Sequence, residues 1–391
     1  MTLPHSIRRF ALACGVLLVL TATGASVMRS GVRVAQAEPA PAATGKFTLE
    51  PRPEAGIASL SISITRKKNL RGWYVERVPF AQLRGLADRA LATEGNPIAF
   101  TLERDAGEIR ARGTVAKGLG QGTFEVFLDD AYAMQLQQRG IGKPDAEQHA
   151  MLVLGDGSFA LLDDIKALGY GTPKREVFVR VVEHGVTSTF LRDMGALGFK
   201  LPTLEDWVRA QDHGVNASYV RGMRAAGFTE LDYPQLLKGR DHGVDPDFVT
   251  TMRAAGFTLA TFDELLLARD HGVDEAFIRE LLDQGYKLPG LRQLIDLRDH
   301  GVDGAFLAGL AAAGYRGVSI LDAIDARNHG VTGAYVTALQ QVGYPNIPLR
   351  EAIRARDRNV DAAFASRAAQ KLGRLPSLDE LIRLRDSGEI E

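Results

Sequence analysis

The sequence predicts an α+β protein: a small antiparallel β domain, then an α-solenoid of about nine two-helix repeats, all behind an N-terminal signal or anchor. Three observations carry this reading. Hydrophobicity alternates with a period of two between Phe47 and Leu128. A His-Gly-Val triplet begins at His184, His213, His242, His271, His300 and His329, every interval being 29 residues. An apolar run from Phe10 to Met28 follows Arg8 and Arg9. Alternation is the mark of half-buried strands, and a fixed long period is the mark of a repeat array. The expected boundaries are 1–37 for the signal peptide or N-terminal membrane anchor, 38–46 for a linker, 47–128 for the β domain and 129–391 for the helical repeats.

Composition supports a folded chain and removes several classes. Of 391 residues, 45% are hydrophobic and 24% charged, which excludes wholesale disorder and a polytopic membrane protein. A net charge of −1 offers no polybasic surface to nucleic acid. The one cysteine, Cys14, lies in the N-terminal apolar run. The rest of the chain therefore has no thiol nucleophile and no thiolate metal site.

Arg8-Arg9 and the apolar run form the basic and hydrophobic parts of an export signal, with Ala35-Gln36-Ala37 as a small-x-small cleavage site. The run is nearly long enough to span a bilayer, and Arg29 and Arg33 precede the cut. A cleaved signal and an uncleaved anchor both remain open. Both place the rest of the chain outside the cytoplasm, either secreted to the periplasm or held at the inner membrane. Membrane contact is expected only through residues 10–28.

In the β domain, Leu60, Ile62 and Ile64 alternate with Ser59, Ser61 and Ser63. Phe100 and Leu102, then Ile109, Ala111 and Val115, then Phe124, Val126 and Leu128 repeat the pattern. This predicts a meander of four or five strands with a hairpin at Asp105-Ala106-Gly107. Pro79–Ala92 is expected to hold one short helix. Gly118, Gly120 and Gly122 join strand to strand, so they read as a turn; a phosphate loop would run from strand into helix. Arg66, Lys67, Lys68 and Arg71 read as an exposed hairpin tip.

The repeat explains its own columns. Asp129, Ser158, Thr187, Asn216, Asp245, Asp274, Asp303, Thr332 and Asp361 are all N-cap residue types. Three residues on comes a core knob, Tyr132, Leu161, Phe190, Tyr219, Phe248, Phe277, Phe306, Tyr335 or Phe364. Gly140, Gly169, Gly198, Gly227, Gly256, Gly285, Gly314 and Gly343 stop the first helix of eight units. Second helices start near Pro144, Pro173, Pro202, Pro289 and Pro376, with capping-box spacing at Thr203…Asp206, Thr261…Glu264 and Ser377…Glu380. Helices this short become stable by stacking on the next pair. In the last unit Leu372 replaces the glycine and Arg358 the histidine, as suits a solvated cap. The first unit is irregular and is expected to dock on the β domain.

Six histidines in one column invite a metal reading. Two ligands of one zinc ion lie only a few Å apart, whereas stacked helices stand about 8–10 Å apart. Each histidine is better placed at a helix C-terminus, meeting free carbonyls and the negative dipole end. No metal and no cofactor are expected. An arginine column at Arg240, Arg269, Arg298 and Arg327 (continuing to Arg356 and Arg385) and an acidic column from Glu183 to Asp386 suggest charge ladders between units. His184, His213, His242, His271, His300, His329 and the arginines are the candidate interaction residues. His149 reads as a surface or packing residue. Metallopeptidase, serine hydrolase and phosphate-loop motifs are missing, so no catalytic residue is assigned and the chain reads as a non-enzyme.

The unit, with its RDHGV junctions and AAGF/Y helix stops, resembles helical repeat tracts of bacterial envelope proteins. It is similar to the C-terminal repeat tracts of β-lactam-sensor-type membrane metallopeptidases. The resemblance covers residues 129–389, and the peptidase's zinc motif and multiple membrane spans have no counterpart. It implies an envelope location and an accessory, non-catalytic role. The leading expectation is protein or peptide binding, or scaffolding, in the envelope. A small-molecule, lipid-binding or enzymatic β domain, and metal binding through the histidines, are the alternatives.

Overall fold

Two meanders of strands are sewn together by the pairing of the first strand with the last. The computed structural model describes residues 40–54, 56–66, 69–87, 89–257, 260–287 and 290–390. The expected signal or anchor over 1–37, the start of the linker, Lys67, Lys68, the side chains of Arg66 and Arg71, and Pro289 lie outside the described residues. The strands are β1 (Ala43–Pro51), β2 (Ile57–Arg66), β3 (Asn69–Pro79), β4 (Leu83–Arg84), β5 (Pro97–Arg104), β6 (Gly107–Ala116) and β7 (Leu119–Leu128). They form one sheet in the order β3-β2-β1-β7-β6-β5-β4, antiparallel throughout.

The sheet corrects several expectations. It has seven strands in place of four or five, and β1 starts inside the expected linker. Two single 3-10 turns, Phe80–Gln82 and Ala90–Ala92, replace the expected helix, with β4 between them. Gly85, at φ +95, is incompatible with a helix running through that segment. The turn between β6 and β7 is only Lys117-Gly118, both at positive φ, and Gly120 and Gly122 belong to β7. Ser59 is buried, not wet, because the β2–β3 register shifts at that point.

Gly113 and Gly122 face each other across β6 and β7. A Cβ on Gly113 would fall 2.0 Å from the Gln121 carbonyl oxygen, so only glycine allows this approach. The sheet curls enough to bring Phe47 of β1 against Phe100 of β5 with ring centroids 5.2 Å apart, although β7 and β6 lie between them. Phe47, Leu49, Leu60, Ile62, Phe124 and Val126 fill the enclosed face.

Eighteen α-helices follow among the described residues, from α1 (Asp130–Gln138) to α18 (Leu378–Ser387). They alternate as first and second helices of nine units. From α3 (Phe159–Ala167) to α17 (Ala362–Leu372), successive first helices pack on one another, and second helices pack on second helices over most of the array. All nine expected N-cap side chains accept a backbone N–H of the first turn. All eight stop glycines take positive φ. Where Leu372 stands in the glycine column, α17 runs on to Gly373, which takes the left-handed conformation one residue later.

Second-helix caps are more varied than the spacing suggests. Thr203–Asp206 and Thr261–Glu264 are closed capping boxes, and so are Asp145–Gln148 and Asp232–Gln235. Ser377 caps its helix, but Glu380 is drawn to Arg374 at 2.6 Å. An N-cap carboxylate such as Asp245, which accepts from Phe248 N at 2.8 Å, sets the cost of losing one cap. Asp245→Ala is expected to lower stability by about 1 kcal/mol, and Asp245→Asn by much less. Urea midpoints of the full chain measure both.

The array is fastened to the sheet by the tip between β5 and β6. Arg104 reaches the carbonyls of Val153 and Leu154 at the end of α2 (Ala146–Leu154). Asp105 accepts from the Phe159 N–H at the start of α3 at 2.8 Å. The Ala106 carbonyl meets His149 Nε2 of α2, also at 2.8 Å. His149 is 3% exposed and stacks on Tyr132. The first unit thus docks on the β domain as expected, and His149 is a core residue. Burial holds its imidazole below the usual histidine range.

Candidate functional site

The His-Gly-Val triplet is a helix stop with one side chain left over. In each copy the histidine is the C-cap of a second helix, the glycine takes positive φ, and the valine is fully buried. The glycine and valine N–H groups return to the carbonyls of the last turn, as Gly185 does to Val182 and Val186 to Val181. This satisfies the helix end with backbone alone. The imidazole is free to do something else.

It reaches forward to the next unit. His184 Nδ1 meets Asp212 at 2.8 Å, and His242 meets Asp270 at 2.5 Å. His271 meets Asp299 at 2.8 Å, and His329 meets Asp357 at 2.6 Å. His213 bonds Asp241 in the same way. His300 meets the neutral Asn328 at 2.8 Å. Arg358, which replaces the next histidine, meets Asp386 at 3.2 Å. The histidines therefore do not reach their own helix's carbonyls through the ring, as sequence reasoning expected. The acidic column is their partner, one unit further on. Asp212, Asp241, Asp270 and Asp299 each immediately precede the next histidine and Asp357 precedes Arg358, so the rungs follow one another along the second helices.

The arginine column does not pair with that acidic column. Arg240 lies over the Tyr219 ring at 5.0 Å, Arg269 over Phe248 at 4.4 Å, Arg298 over Phe277 at 5.0 Å and Arg327 over Phe306 at 5.0 Å. Arg356 and Arg385 repeat this on Tyr335 and Phe364. Such stacking contributes about 0.5–1 kcal/mol at a partly exposed site. The guanidinium also bridges units: Arg240 Nε donates to the His213 carbonyl at 3.2 Å and Arg269 Nε to that of Gly243 at 2.8 Å. Where the knob is tyrosine, its hydroxyl donates to the backbone that closes its own unit, Tyr219 to Val244 at 2.9 Å and Tyr335 to Val360 at 2.8 Å. Burial pushes the Tyr219 hydroxyl up to about 12, so it remains a donor at physiological pH.

The electrostatics of the ladder follow from its partners. The hydrogen bond to Asp357 raises the His329 imidazole above the usual histidine range, with Asp325 adding to it. Asp325 lies 3.4 Å from Nε2 on the same helix. Among the described residues no three His, Cys, Asp or Glu side chains gather as a metal-binding group. Two clefts open on the array. One, of about 320 Å³, is lined by Tyr286, Leu307, Tyr315 and Arg316; the other, of about 270 Å³, by Asn216, Ser218, Tyr219 and Arg240.

Sequence reasoning set Asp105 in a hairpin turn and His149 as a surface or packing residue, and missed that these two and Arg104 join the sheet to the helices. A signal for His149 was present. It occupies the column of Phe178, Trp207, Leu236, Leu265 and Leu294, every one of them buried. Nothing comparable marked Arg104, one arginine among many on alternating strands. No family model, curated protein or solved structure matches this chain.

Proposed function

We propose that this chain is an extracytoplasmic binding or scaffolding protein of the bacterial envelope, without catalytic activity, whose helical array is an α-solenoid displaying a recognition surface. The observation that carries this is the contrast between a constant frame and a varied exterior. Cap, knob, stop and rung residues recur from unit to unit. The sixth residue of each unit does not: Met134, Asp163, Arg192, Arg221, Thr250, Arg279, Ala308 and Thr337 occupy it and are all exposed, and half-buried Ser366 completes the row. A stacked frame holds such positions in line, which is how repeat proteins build long surfaces for protein or peptide partners. The curled sheet, with its enclosed face filled by side chains, favours an anchoring role for the β domain over a ligand cavity. The N-terminal apolar run supports export. Among the described residues no helix is long and apolar enough to cross a membrane.

Two measurements test this. Cell fractionation of the tagged full chain is expected to place it outside the cytoplasm; recovery in the cytosol would remove the envelope reading. Affinity capture from envelope extract is expected to enrich one protein with the wild type. The Arg221→Glu/Arg279→Glu variant, which leaves every cap and rung in place, is expected to lose it. Equal capture by both proteins would remove the exposed row as the binding surface.

A further inference from the structure

We propose that the histidine rungs make the cohesion of the array depend on pH, so that the stack is tighter with its histidines protonated than with them neutral. The geometry behind this is one ring nitrogen per unit placed on the acid of the following unit. Five rungs join a histidine to a carboxylate, at His184, His213, His242, His271 and His329. A neutral imidazole donates one hydrogen bond across the junction. An imidazolium donates the same bond and adds an ion pair, so protonation strengthens five junctions together without moving an atom.

The other charges around each rung are few and regular. Asp212, Asp241, Asp270 and Asp299 each precede the next histidine of the column in sequence and are already bonded to the one before it. Arg240, Arg269, Arg298, Arg327 and Arg356 come down on the glycine that follows His213, His242, His271, His300 and His329. Neutral Gln211 takes that place beside His184. His329 has a second carboxylate, Asp325. The rung side chains are 32–46% exposed, so solvent and salt screen each of them. The effect is a property of the series.

The molecule contains its own control. His300 faces Asn328, whose amide oxygen accepts the same bond but carries no charge. That rung has no carboxylate with which to form an ion pair. The sign is set by the raised His329: a group that binds its proton more tightly when folded stabilises the fold below its unfolded value, about 6.5, and this contribution is lost as pH rises through the folded value. Acid strong enough to protonate the aspartates ends the effect from the other side.

The test uses the full chain. Its thermal midpoint is expected to fall by roughly 2–4 °C between about pH 6 and pH 8.5. Replacing the five carboxylate-paired histidines by glutamine is expected to flatten that dependence. Retention of the wild-type pH slope in this variant would overturn the proposal. A titration that does not depend on the variant's folding reads the same point. With histidine-selective NMR labelling, Asp357→Asn is expected to lower the pH at which His329 titrates. An unchanged His329 titration in that variant would likewise overturn it.

Discussion

Trp207→Ala is expected to destabilise the array by about 3–5 kcal/mol, the largest effect of any single truncation in it. The indole is fully buried in α6 (Leu204–Asp212) and meets Phe190 edge-on at 5.8 Å. Its Nε1–H donates to the Tyr170 hydroxyl at 2.8 Å, and that hydroxyl donates to the Leu201 carbonyl. Truncation would therefore open a cavity and break a polar chain that ties the second unit to the third. Trp207→Leu separates the two losses. Leucine already stands in this column at Leu236, Leu265 and Leu294. The substituted leucine should thus recover much of the packing and none of the hydrogen bond, giving a cost well below that of alanine. Urea denaturation of the full-length variants measures both; equal costs would mean that the hydrogen-bonded chain, not the volume, carries the effect.

Arg104→Ala is expected to lower stability by about 2–3 kcal/mol and to uncouple the sheet from the helices. The guanidinium is almost fully buried, on the carbonyls that end α2, with Asp156 4.0 Å away. Burial lowers its proton affinity, and Asp156 offsets part of that. Removing it leaves two carbonyls facing a hole. Lysine offers a point charge where a planar fork spans two acceptors, so Arg104→Lys should recover only part of the loss. Hydrogen exchange distinguishes this from a general weakening. Amides of β5 and β6 are expected to exchange faster in the variant while those of α9 (Pro246–Ala254) keep their protection. Uniform acceleration along the whole chain would show that the tip does not act as a local fastening.

How much of this was legible in the sequence depended on how locally each feature is decided. N-caps act within three residues, so all nine were readable as side-chain types. The glycine stops act within one turn and were readable too. The shift of the last stop from Leu372 to Gly373 needed only the neighbouring residue. The strands were half legible. Alternation marked β2, β5, β6 and β7 and left β3 unread. The polar start of β1, the bulge at Ser59 and the two-residue β4 have no alternating signature, because pairing partners create them.

The site divides along the same line. Residue order alone carried the period, the compositions of the columns, and hence nine helix pairs with capped first helices, because those signals repeat from unit to unit and agree with one another. Which side chain meets which was left to packing. His184 finds Asp212 and not the neighbouring Glu183, because the offset of one helix pair on the next brings together residues 28 apart. Arg240 goes to Tyr219 because the second helix folds back over the start of the first. Arg104 finds the end of α2 because α2 packs against β7 and β6, beside the tip that carries the arginine. Each of these is a long-range consequence of packing, in which a side chain is assigned by the geometry between elements and not by the residues beside it in the chain.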